Sequence, residues 1–86
     1  MKNFVICINN DSNPASLILG KVYFTLPDKE AEIVKMYRVI DEDKTEADGY
    51  LYPMSLFVPI KVPKPAEQVL LKTMPKRVLT NLAGVA

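Results

Sequence analysis

Cys7 is the one cysteine of this 86-residue chain, and the chain contains no histidine to activate it. A thiol becomes a useful nucleophile when a neighbouring base or cation stabilises the thiolate. Lys2, the nearest cation, lies at the far end of the same apolar stretch, so Cys7 reads as an inert core residue. The lack of histidine also removes the usual general base and the commonest metal ligand. Three widely separated glycines cannot build a phosphate-cradling loop. The acidic run Asp41, Glu42, Asp43, Glu46 and Asp48 lacks the alternating oxygen ligands and terminal bidentate Glu of a calcium loop, and Lys44 interrupts it. It reads as a solvated hairpin tip. The expectation is a non-enzyme with no cofactor and no metal.

What remains is recognition. Tyr50, Tyr52, Pro53, Met54 and Phe57 form an aromatic and proline cluster of the kind that receives a peptide or stacks a base. On a strand, Tyr50 and Tyr52 share one face and Leu51 takes the other. Leu51 is expected in the core and the two tyrosines at the surface. Tyr50, Tyr52, Pro53 and Phe57 are therefore the candidate partner-binding residues. Lys61, Lys64, Lys72, Lys76 and Arg77 offer a second possibility, nucleic acid, but they sit on separate elements without stacking aromatics.

The elements that position these residues must fit one small domain. Net charge is +1, yet residues 1–60 carry six basic against nine acidic residues and residues 61–86 five against one. A basic tail folding back on an acidic body accounts for that asymmetry. A lone cysteine excludes an internal disulfide framework and fits a reducing compartment. The apolar run Phe4–Ile8 is too short for a signal-peptide core or a membrane span, so a cytoplasmic location with no membrane partner is expected.

Strands are predicted over Phe4–Ile8, Lys21–Leu26, Met36–Ile40, Tyr50–Tyr52 and Phe57–Ile60. Residues Asn9–Pro14 form a loop. A charged connection, with a helical turn at Glu30–Val34, follows Pro27. Either face of Lys21–Leu26 can point inward, and the other then needs a cover. Pro59, Pro63 and Pro65 suggest an extended linker. Two amphipathic helices follow, Ala66–Met74 with Val69, Leu70, Thr73 and Met74 on one stripe, and a second carrying Val78, Leu79, Leu82 and Ala83.

Two motifs resemble the SH3-like barrel. Leu17-Ile18-Leu19-Gly20-Lys21 looks like its diverging turn. Gly49-Tyr50-Leu51-Tyr52-Pro53-Met54-Ser55-Leu56-Phe57-Val58 looks like its closing strand, 3₁₀ turn and last strand. Across residues 4–60 the chain is similar to short, uncharacterised bacterial proteins with an SH3-like barrel, a likeness that brings no activity with it. It implies a mainly β fold, a five-stranded SH3-like barrel over residues 1–60, with residues 61–86 as a partly helical extension. Pro53 and Phe57 match the family's peptide groove. The ligand-clamping Trp and the opening Ala-Leu-Tyr-Asp-Tyr motif are missing, Asp11 alone remains of the acidic RT loop, and Lys21 replaces an acidic residue.

These readings converge on a non-catalytic interaction module that binds a protein partner through Tyr50, Tyr52, Pro53 and Phe57. The alternatives are a nucleic-acid-associated barrel using its basic tail, or a homo-oligomer formed through the apolar stripes of that tail. Surplus apolar residues such as Phe24 and Leu70 motivate both a partner and a tail that covers the second strand.

Overall fold

The computed structural model describes residues 3–43 and 45–74. The second predicted helix, with Val78, Leu79 and Leu82, lies outside them, as do Lys76 and Arg77. Five antiparallel strands form a single sheet: β1 Asn3–Cys7, β2 Val22–Leu26, β3 Met36–Ile40, β4 Tyr50–Pro53 and β5 Phe57–Ile60. Their order across the sheet is β4-β3-β2-β1-β5. Each strand is short, rich in β-branched and aromatic residues, and bounded by glycine, proline or polar turns. The second strand is thus central, and the first lies between it and the last.

Turn chemistry sets the boundaries. Gly20 adopts φ +80° in the turn ahead of β2, where the Lys21 N–H donates to the Ile18 carbonyl. Gly49 adopts φ +68° at the entry to β4, and a Cβ there would sit 2.6 Å from the Val39 carbonyl oxygen. Both the backbone angle and the space require glycine. A short helix, α1 (Lys29–Ile33), joins β2 to β3. Its N-cap Asp28 accepts a hydrogen bond from the Ala31 N–H. Lys35 ends it at φ 59°, a conformation unusual for a residue with a side chain. The predicted turn at Glu30–Val34 lies one residue further along, because the capping carboxylate is Asp28.

Both faces of the sheet are buried over part of their area. The inner face gathers Val5 and Cys7 of β1, Tyr23 of β2, Val39 of β3, Tyr52 of β4 and Phe57 of β5 around Leu17. Every strand contributes to this one cluster. β4 and β5 stand at opposite ends of the sheet order, about 19 Å apart if the sheet were flat. Yet the Tyr52 and Phe57 rings meet edge to face with centroids 6.2 Å apart. The sheet is coiled so that its two ends approach, with a 3₁₀ turn (Met54–Leu56) between them. No ladder joins β4 to β5 among the described residues.

The outer face of β1, β2 and β3 carries Phe4, Phe24 and Ile40, aligned by the register Phe4↔Phe24↔Ile40. Phe4 and Phe24 pack edge to face at 5.3 Å. The helix α2 (Lys64–Lys72) and the residues after it cover them with Leu70, Leu71 and Met74. That answers the ambiguity over β2: Tyr23 and Phe24 are both buried, on opposite faces.

Two expectations about this region change. Pro59 belongs to β5, paired with Val5, and Pro65 lies in the first turn of α2, so little of the extended linker remains. Proline is tolerated in β5 because that strand lies at the end of the sheet. The covering stripe includes Leu71 and omits Val69, which is 60% exposed. Leu71 packs on the sheet in its place, beside Leu70 and Met74.

Candidate functional site

The four candidate residues divide between core and surface. Tyr52 (7% exposed) and Phe57 (5%) are buried, whereas Tyr50 and Pro53 are exposed. The expectation that Leu51 is core and Tyr52 surface is reversed, since Leu51 is 43% exposed. The inside of the coiled sheet takes the odd-looking choice because Tyr52 can bury its ring and satisfy its hydroxyl. That hydroxyl donates to Asp41 at 2.5 Å, and Asp41 is itself 2% exposed. Phe57 packs against both Tyr52 and Tyr37 at 6.2 Å. These rings support the surface from beneath.

The acidic run is likewise more than a solvated tip. Three consecutive acids each accept from a different tyrosine: Asp41 from Tyr52, Glu42 from Tyr23 at 2.6 Å, and Asp43 from Tyr50 at 3.1 Å. Glu42 also pairs with Lys21 at 2.6 Å. Tyr23 in turn accepts from the Ile18 N–H. These bonds tie β2, β4 and the turn before β2 to the chain leaving β3. Burial, then the hydrogen bond to Asp41, pushes the Tyr52 hydroxyl up to about 12. Burial and the Glu42 bond raise Tyr23 further. Asp43 is held below the usual carboxylate range by hydrogen bonds from Thr45 and then Tyr50. All three tyrosines remain protonated donors at neutral pH.

Cys7 is buried at 1% exposure, and its thiol is directed at the Asn9 carbonyl. Among the described residues, no group of three or more His, Cys, Asp or Glu is arranged to hold a metal ion. No helix among them is long and apolar enough to cross a membrane. Lys61, Lys64 and Lys72 are exposed along the extension.

The outer face of β4 has a different character. Leu51 and Pro53 share it by the two-residue period, beside Arg38 and Met36 of β3. α1 lies alongside and leaves a recess lined by Asp28, Glu30, Ala31, Val34, Arg38 and Leu51. Val34 is 63% exposed and the neighbouring Ile33 80%. Arg38 donates from Nε to Asp28 at 2.8 Å and from Nη1 to the Asp48 carbonyl at 3.4 Å. The Ala31 N–H and Arg38 hold the Asp28 carboxyl below its ordinary range. Sequence alone does not mark this region, because α1 looks like a charged connection. Its one available signal was Ile33-Val34 in an otherwise charged segment, with Asp28 three residues before the Ala31 amide it caps.

Comparison of the chain with protein families, curated proteins and solved structures found no match.

Proposed function

We propose that this chain is a non-catalytic interaction module of SH3-like architecture that docks a protein partner on the outer face of β4 and α1. The order β4-β3-β2-β1-β5, the 3₁₀ turn linking the two end strands and the approach of Tyr52 to Phe57 support the SH3-like reading. The observation that carries the docking role is the recess between α1 and β4, with exposed Val34 and Leu51 on its rim. Single exposed apolar residues are ordinary, but two that line one recess form the kind of patch another surface covers.

The polar chemistry of the chain points the same way. The tyrosine hydroxyls of Tyr23, Tyr50 and Tyr52 are engaged with Glu42, Asp43 and Asp41 in holding the fold. Of the four residues first singled out, Pro53 lies on the docking face with Leu51. Tyr50 flanks it from the other face of β4, while Tyr52 and Phe57 buttress the strand from inside.

Affinity capture with the full-length chain, read out by mass spectrometry, tests the proposal. Leu51→Glu is expected to lose a partner that the unsubstituted chain retains, with the fold unchanged by circular dichroism. An identical set of captured proteins would place the interaction elsewhere.

A further inference from the structure

Resting on the docking role above, we propose that the recess between α1 and β4 receives a partner segment that sets a Lys or Arg beside one aliphatic or aromatic side chain. The apolar half of that description follows from exposed Val34 and Leu51, which line the same recess together with buried Ala31. One inserted side chain can cover both, and it gains the ordinary free energy of removing apolar surface from water.

The basic half follows from charge. The lining holds two acids, Asp28 and Glu30, and one base, Arg38. Arg38 is already engaged by Asp28 and by the Asp48 carbonyl. The Arg38 guanidinium therefore neutralises Asp28, and the exposed Glu30 carboxylate sets the sign that a ligand meets. A purely apolar or acidic segment would strip water from Glu30 without replacing it, whereas a cation pairs with it as the surfaces close. Asp48, held against Arg38 through its carbonyl, brings the acidic connection between β3 and β4 to the same side.

The test uses the full chain labelled with ¹⁵N and three otherwise identical Gly/Ser peptides. Each carries a single Phe, flanked by two Lys, two Gln or two Glu. The Lys-flanked peptide is expected to shift the amides of Ala31, Val34, Arg38 and Leu51. It should bind more tightly than the Gln-flanked peptide by up to about fivefold, the upper end of what one exposed ion pair supplies. Glu30→Gln should erase that preference while leaving the unliganded spectrum otherwise intact, and added salt should weaken it. If the Gln- or Glu-flanked peptide moves the same amides equally well, the charge assignment is overturned and the docking role stands. If no peptide moves those amides, both are overturned.

Discussion

Tyr52 donates its hydroxyl to the carboxylate of Asp41 at 2.5 Å, inside the coiled sheet where both residues are buried. The bond links an end strand of the sheet to the residue that leaves its neighbour β3. Asp43 N–H donates to the other Asp41 oxygen at 3.0 Å, so a single buried carboxylate orders both the strand and the start of the following connection. Tyr52→Phe keeps the ring but leaves that carboxylate short of a donor. Urea denaturation should show a loss of about 1–3 kcal/mol. Leu51→Ala, one residue away but exposed, should cost well under that.

Alkaline pH gives a second reading of the same bond. Tyr52 loses its proton near 10 when unfolded and at about 12 when folded. Between those values the folded chain holds more protons than the unfolded one, so stability falls as pH rises. Its contribution is intact below pH 10 and gone above the folded value. Tyr23 and Tyr50 are raised too and add to the slope. Thermal melts from pH 9 to 12 should show a shallower decline in Tyr52→Phe than in the unsubstituted chain.

Acid pH acts through Asp28. Its carboxyl is held below 3.8 by the Ala31 N–H first and then by Arg38. Here the unfolded chain takes up the proton first, so this stabilisation is present above pH 3.8 and is lost as pH falls through the lower folded value. Asp28→Asn keeps a capping oxygen for α1 but removes the charge. Acid denaturation curves should lose that part of their pH dependence while helix α1 survives.

Gly49→Ala combines positive φ with a Cβ placed 2.6 Å from the backbone oxygen of Val39. Backbone must move, and a loss of more than about 1 kcal/mol is expected. Gly20→Ala has the same sign of φ but open space around the new methyl group, so it should be the milder of the two by chemical denaturation.

The strand pattern was legible because each strand is short, β-rich and closed by a turn residue: Met36–Ile40 and Phe57–Ile60 coincide with β3 and β5. The 3₁₀ turn after Pro53 was legible for the same local reason. Which side of β4 is inside was not. Tyr50-Leu51-Tyr52 offers an apolar residue on both faces, and the choice depends on Asp41 approaching Tyr52 from another strand's end. Nor could the acidic run reveal its tyrosine partners, which lie 7 to 19 residues away in sequence. The cover over Phe24 was foreseen in kind, but its helix starts two residues earlier than its apolar stripe implied.

Site-specific photo-crosslinking tests the docking face most directly. A benzophenone-bearing residue placed at position 51 or 34 of the full-length chain should yield a discrete crosslinked partner. The same group at position 18, which is 50% exposed in the turn before β2, should yield none. Crosslinks from position 18 with none from 51 or 34 would contradict the assignment of the partner surface to α1 and β4.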